Sequence, residues 1–202
     1  MAICYLIGAG NFNTEISRSE GDMIIAADGG YDSLVSHGYV PDLVIGDLDS
    51  ISEEPLDGIE LLRFPTMKNE TDMLLAYSEG ARRGYTDFVI LGGVGGRLDH
   101  TYANLCLLLY AKERGHNITV IDGDSIALCL KNESISLAGK PGDYFSVFAM
   151  EREAKGVTVR NAKYEANEIT LTPSFPLGVS NEFVDKKAYI AVDDGALLVI
   201  AQ

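Results

Sequence analysis

Val44-Ile45-Gly46-Asp47-Leu48-Asp49-Ser50 runs two β-formers into a glycine and then sets two carboxylates at i and i+2. That order specifies a buried strand ending in acid. In extended backbone, side chains two apart point the same way and stand about 6–7 Å apart, near enough to serve one divalent cation or a pair. Hard cations take oxygen ligands, and phosphate is their natural client. A polar loop with an aspartate N-cap is the plainer reading of a lone Asp-x-Asp. Repetition weighs against it. Ala27-Asp28-Gly29-Gly30, Lys68-Asn69-Glu70-Thr71-Asp72, and Arg97-Leu98-Asp99 after Gly92-Gly93-Val94-Gly95-Gly96 all place acid beside glycine or a cation.

Upstream of that stretch, residues 3–7 and 23–27 are short apolar runs closed by Gly8-Ala9-Gly10 and Asp28-Gly29-Gly30, the pattern of buried parallel strands. A dinucleotide fingerprint would need a third glycine where Asn13 stands, and no helix signal follows. Residues 31–37 carry Leu34 and Val35 and stop at Gly38, a brief helix before Pro41-Asp42 opens the central strand.

Downstream, 59–64 reads as a fourth strand, and Thr71 caps a helix to Arg83 with Met73, Leu74, Tyr77 and Ala81 at helical spacing. Asp72 falls in its first turn, where the helix dipole favours an acid with or without a chemical task. Residues 87–91 form a fifth strand that empties into the glycine loop. A helix over 98–114 follows, with Leu105, Leu108 and Leu109 on its buried side. Strand, glycine loop and helix N-terminus together make anion-binding architecture, and Arg97 adds a planar fork of donors. The loop is not a P-loop, since no Lys-Ser/Thr follows its glycines. His100, in the helix's first turn, reads as a capping or packing residue outside the catalytic set.

After a sixth strand at 117–122 the pattern changes from helical spacing to short alternating runs at 125–130, 134–137, 144–149, 156–160, 168–172, 188–192 and 196–201. Asp194-Gly195 carries a hairpin signal between the last two. The expected fold is therefore α/β: an N-terminal, mostly parallel-sheet nucleotide-binding domain over 1–123, followed by a C-terminal all-β sandwich over 124–202.

Composition bounds the partners. Sixteen Lys and Arg against thirty Asp and Glu give a net charge of −14 over 202 residues, which opposes a nucleic-acid backbone as the main partner and is compatible with a cationic substrate. No apolar run reaches the roughly 18 residues of a membrane span, and the N-terminus has no basic start or cleavage site of a signal peptide. A soluble, cytoplasmic protein is expected. Cys4, Cys106 and Cys129 sit far apart in apolar runs, and all three read as buried small hydrophobes in a reducing compartment.

Taken together with Ser180-Asn181-Glu182-Phe183, these motifs resemble thiamine pyrophosphokinase, in the family's order and over essentially the whole chain. The resemblance implies transfer of a pyrophosphoryl group from ATP to the thiamine hydroxyl with Mg²⁺, leaving AMP, in a homodimer with shared active sites. By the same resemblance Asp47, Asp49, Asp72, Asp99 and Arg97 are catalytic, with Asp47, Asp49 and Asp72 as metal ligands. It assigns Asp28, Gly29, Gly30, Lys68, Gly92, Gly93, Gly95 and Gly96 to ATP and phosphate, and Ser180 and Asn181 to thiamine. Some members place a tryptophan near the C-terminus against the thiamine, whereas this chain has none and carries Leu197-Leu198-Val199 there. Two alternatives keep the same acids and loop: a pyrophosphokinase for another small alcohol such as a pterin, and a non-catalytic nucleotide-sensing module.

Overall fold

A computed structural model describes residues 2–52, 55–67 and 69–202. Lys68, expected to face phosphate, lies outside the described residues. The chain is of mixed α/β class and divides into two compact units, residues 1–107 with 116–123, and 108–115 with 124–202.

In the first unit, β1 (Ile3–Ile7), β2 (Met23–Ala27), β3 (Leu43–Gly46), β4 (Glu60–Arg63), β5 (Asp87–Leu91) and β6 (Asn117–Asp122) pair throughout in parallel, in the order β6-β5-β1-β2-β3-β4. All five residues of β2 and all four of β3 are buried, as strands with both faces covered require. Helix α1 (Gly30–Ser36) packs on β1 and β2, with Leu34 among Tyr5, Ile7 and Ile24. Helix α2 (Asp72–Arg82) packs on β1, β2 and β3 and begins where Thr71 Oγ1 accepts from Leu74 N at 3.2 Å. It sits close because Gly80 has no side chain: a Cβ there would stand 2.8 Å from Phe88 Cε1 and 2.9 Å from Cys4 Sγ. Of the apolar positions expected to face the sheet, Met73 and Tyr77 are buried, while Leu74 and Ala81 are only half covered.

Helix α3 runs Leu98–Lys112, two residues shorter than expected. Its buried stripe is Asn104, Leu107, Leu108 and Ala111, with Leu105 and Leu109 half covered. Because the helix is apolar on several sides, spacing alone does not say which stripe faces inward. Cys106 is exposed, which corrects the expectation that all three cysteines are buried; Cys4 and Cys129 are.

In the second unit, β7 (Ser125–Lys131), β9 (Tyr144–Ala149), β14 (Ala196–Ala201) and the two-residue β12 (Asn181–Glu182) form an antiparallel sheet in the order β12-β9-β14-β7. A second antiparallel sheet, β11-β10-β13-β8, contains β8 (Ser134–Ala138), β10 (Ala154–Arg160), β11 (Ala166–Leu171) and β13 (Lys187–Ala191). Phe145, Val147, Leu197 and Val199 of the first sheet share one apolar cluster with Leu137, Val157, Leu171 and Ile190 of the second. Each such side chain contributes roughly 1.5–3 kcal/mol on full burial.

Asp194-Gly195 is not a hairpin turn. The strands on either side of it, β13 and β14, belong to different sheets. Lys155 N–H donates to Asp194 O at 2.8 Å, and a Cβ on Gly195 would stand 2.6 Å from Glu153 O. Gly195, at φ +109°, serves a close backbone crossing between sheets.

Candidate active site

The acids and glycines gather at the carboxyl ends of the parallel strands. This is where open α/β sheets bind ligands, beside the point where strand order reverses around β1. A cleft of about 240 Å³ opens there, lined by residues following β1 (Gly8, Gly10), β2 (Asp28, Gly29) and β5 (Gly92, Gly93) and by the first residues of α2 and α3.

The acid cluster forms by a different route from the one the sequence suggested. Leu48 adopts φ +64°, so Asp47-Leu48-Asp49 is a turn and not an extended continuation of β3. Leu48 packs against the buried Ala26, Tyr31 and Val44, contacts that offset a backbone conformation costly for a side chain this large. The turn swings the two carboxylates toward Asp28, at φ +46°, and one oxygen from each of the three lies within 4.8 Å of the other two. Among the described residues, Asp28 Oδ1 is buried and has no hydrogen-bond partner. A buried carboxylate oxygen without a donor is costly. Two further carboxylates beside it raise that cost by repulsion, and a hard cation relieves both. The donor set therefore fits a divalent metal ion.

Asp72 borders the same space. A Cβ on Gly46 would stand 3.0 Å from Asp28 Cβ and 3.1 Å from Asp72 Oδ1. Gly46 at φ +150° thus leaves open the room between these two acids.

The glycine loop is built by backbone contact. Gly8 N–H donates to Leu91 O at 2.8 Å and Gly10 N–H to Gly92 O at 2.9 Å. A Cβ on Gly92 would meet Gly10 O at 2.5 Å and Gly8 O at 2.6 Å. Gly8 and Gly10 thus shape the cleft without any dinucleotide fingerprint. Their signal was two glycines at a strand end, and their partners lie more than 80 residues away.

Gly29 and Gly30 separate in role. Gly29 lines the cleft. Gly30 is buried, and a Cβ on it would fall 2.0 Å from Ile7 O, so it serves the contact of α1 with β1.

Arg97, Gly95, Gly96 and His100 line the cleft as well. Arg97 donates from Nε to Asp99 Oδ1 at 3.1 Å and from Nη2 to Asp99 Oδ2 at 2.5 Å. Through this bond the guanidinium holds the Asp99 carboxyl below its ordinary pKa, and Asp99 raises that of Arg97. His100 and the buried Asn104 are cleft residues outside the set read from sequence. For Asn104 the signal was available as an amide on an otherwise apolar helix stripe.

Ser180 and Asn181 lie in the second unit. Ser180 is exposed at φ +55°, and its N–H donates to Ser146 Oγ at 3.1 Å. Asn181 is buried and already engaged. Its Oδ1 accepts from Tyr164 N at 3.0 Å and Glu182 N at 2.9 Å, and its Nδ2 donates to Tyr164 O at 2.7 Å. One amide hydrogen of Asn181 is left over from these bonds.

Residues 16–120 match the family model "Thiamin pyrophosphokinase, catalytic domain", and 132–197 match "Thiamin pyrophosphokinase, vitamin B1 binding domain". A thiamine pyrophosphokinase of Bacillus subtilis (strain 168) is 27% identical over 182 residues, covering 87% of this chain and 85% of that protein. The solved structure of thiamine pyrophosphokinase from Bacillus subtilis superposes with a TM-score of 0.88 at 22% identity, covering 99% of this chain and 98% of that one. That of a thiamin pyrophosphokinase family protein from Enterococcus faecalis gives 0.84 at 25% identity, covering 100% and 99%. With the catalytic-domain model spanning more than half of its residues, the chain belongs to the thiamin pyrophosphokinase family.

Proposed function

We propose that this chain transfers the pyrophosphoryl group of ATP to the hydroxyl of thiamine, releasing AMP and thiamine diphosphate. The observation that carries the reading is that Asp28, whose buried Oδ1 has no partner among the described residues, belongs both to a three-carboxylate cluster with Asp47 and Asp49 and to the lining of a glycine-walled cleft at the strand ends. Family membership weighs against the pterin and nucleotide-sensing alternatives.

Asp28, Asp47 and Asp49 would hold the metal, with Asp72 beside them, and a bound Mg²⁺ would supply charge neutralisation to the polyphosphate. The chain's own donors do the rest. Backbone N–H groups of Gly92, Gly93, Gly95 and Gly96 can approach phosphate oxygens closely because no side chain intervenes. Arg97, with Lys68 by the family resemblance, spreads the charge that develops as the β-phosphorus is attacked in line. Asp99 orients Arg97 through its two-oxygen pairing. Positioning supplies much of the rate when nucleophile and phosphorus are held in a near-attack arrangement.

Thiamine is assigned to the second unit, read as a sandwich domain over 124–202, with Ser180 and the remaining amide hydrogen of Asn181 as its polar contacts. A homodimer with shared sites accommodates this division of phosphate and thiamine residues between units. The α3 face bearing Leu98 (82% exposed) and Tyr102 (70% exposed), with Cys106, supports a second copy as its cover. A cytoplasmic setting suits an ATP-consuming enzyme whose three cysteines are unpaired.

Incubation with Mg-ATP and thiamine, followed by assay for AMP and thiamine diphosphate, tests the reading. AMP release that ignores thiamine, or requires a pterin alcohol instead, overturns it.

A further inference from the structure

The segment between β5 and α3, Gly92-Gly93-Val94-Gly95-Gly96, has a side chain on only one of its first five residues. Glycine loses more backbone freedom on ordering than any other residue. Whatever orders this loop has to come from outside it. Two hydrogen bonds act at its entrance. Gly10 N–H donates to Gly92 O at 2.9 Å, and Asn104 Nδ2 donates to Gly93 O at 2.7 Å. The first is backbone to backbone. The second hangs on a single side chain.

Asn104 is 7% exposed and shares its helix face with Leu107, Leu108 and Ala111. A leucine would fill that position without the desolvation cost an amide brings. The bond to Gly93 is what an amide offers there and a leucine does not. The loop is seated closely against this anchor: a Cβ on Gly93 would stand 2.4 Å from Ile90 Cγ2 and 3.3 Å from Asn104 Nδ2. Toward its far end the hold is weaker: Gly95 at φ +85° and Gly96 at φ +62° have nothing within 4 Å of a Cβ, and Thr101 Oγ1 donates to Gly95 O at a long 3.5 Å. Both line the cleft beside Arg97 and Asn104.

We propose that Asn104 is a positioning residue, which pins Gly93 so that Gly95, Gly96 and Arg97 meet a polyphosphate already ordered. The inference rests on reading the cleft as the ATP site. A loop ordered during folding does not charge its ordering entropy to ligand binding, and donors fixed in advance stabilise developing charge without reorganising.

Asn104→Leu removes the donor while keeping size and suiting the apolar stripe, and Asn104→Ala removes it without branching. Three quantities are read on the full chain: amide hydrogen exchange of a peptide spanning 92–97, ADP affinity by titration, and the KM values for ATP and thiamine. The proposal expects faster exchange in 92–97. It also expects about a tenfold loss in ADP affinity and a similar rise in KM for ATP, the effect of one lost hydrogen bond, with KM for thiamine within about twofold. Unchanged exchange and unchanged nucleotide affinity would overturn it. So would an equal rise in both KM values, which marks a general structural defect. If the unaltered chain makes no AMP from ATP and thiamine, the functional reading fails, and exchange and ADP titration still decide the role of Asn104.

Discussion

Arg97 and Asp99 form a two-oxygen ion pair at the start of α3, with Nη2 2.5 Å from Oδ2 and both side chains more than half exposed. A cation expected to meet polyphosphate is thus held by an acid of the same motif before any ligand arrives. Exposure makes the pair a poor source of stability. Its geometric effect is to fix the direction of a flexible fork.

Arg97→Ala should lower turnover by about 10²–10³, the scale of one transition-state donor removed. Arg97→Lys should recover only part of that loss, because an ammonium supplies charge without the planar fork. Asp99→Asn keeps one acceptor and loses the paired charge, so its deficit should be smaller than that of Arg97→Ala. Steady-state kinetics with saturating thiamine checks the order; full rescue by lysine would mark Arg97 as a generic surface charge.

The Asp28, Asp47, Asp49 cluster makes a paired prediction for activity and stability. In chelator, Asp47→Asn and Asp28→Asn should melt at or above the temperature of the unaltered chain, because one of three crowded charges is gone. Adding Mg²⁺ should raise the melting temperature of the unaltered chain and raise that of the variants less, by mass action on the folded state. Turnover should be abolished in Asp47→Asn and Asp49→Asn at limiting Mg²⁺. Normal turnover there, or equal Mg²⁺ stabilisation of all variants, would remove the metal role.

Away from the cleft, Glu79 sets a pH-dependence of stability. Its carboxylate, 9% exposed, accepts 2.7 Å bonds from Arg82 Nε and Nη2 and from Arg83 Nε. The Arg82 bond is the largest cause of its pKa falling from 4.5 to about 2. The folded-state value is depressed, so the stabilisation is fully present above about 4.5 and is lost as pH falls toward 2. The gap corresponds to about 3 kcal/mol. Urea midpoints should therefore place Glu79→Gln well below the unaltered chain at pH 7, with the gap narrowed to less than half at pH 3 and nearly closed only as pH reaches about 2. A difference that holds constant across that range would show the ion pair contributes nothing.

Much of the first unit is legible from periodicity and end signals because those signals are local: Thr71 caps α2 through its own side chain, and Gly84 follows the helix end. What could not be read is which distant backbone a residue meets. Asp194-Gly195 has the composition of a hairpin turn, yet its partner is Lys155 of β10, and turn chemistry does not select partners. Asp47 and Asp49 are a plausible acid pair in any backbone. That they converge on Asp28 depends on the left-handed Leu48, a conformation held by Tyr31 and Val44 and unmarked in sequence. Asn181 is assigned to thiamine by resemblance alone, and nothing in the motif marks that its amide is largely engaged by Tyr164.

That last bond shapes the test of the proposed shared site. Removing the Asn181 amide would strip three hydrogen bonds from the second unit, so loss of activity in such a variant would be ambiguous. Ser180 is the cleaner probe, being exposed and held only through its backbone N–H among the bonds described. Ser180→Arg adds bulk and positive charge to the face proposed for thiamine, itself a cation, and should be inactive while folded; full activity would remove Ser180 from that face. Mixed with Asp47→Asn under free and random exchange of subunits, half the dimers carry one chain of each kind. If the phosphate residues of one chain serve the thiamine residues of its partner, each such dimer holds one site with both halves intact. Activity should then return to about a quarter of normal per chain, the value two-fold symmetry requires. No recovery, with subunit exchange demonstrated by a tagged chain, would place the whole site within one chain.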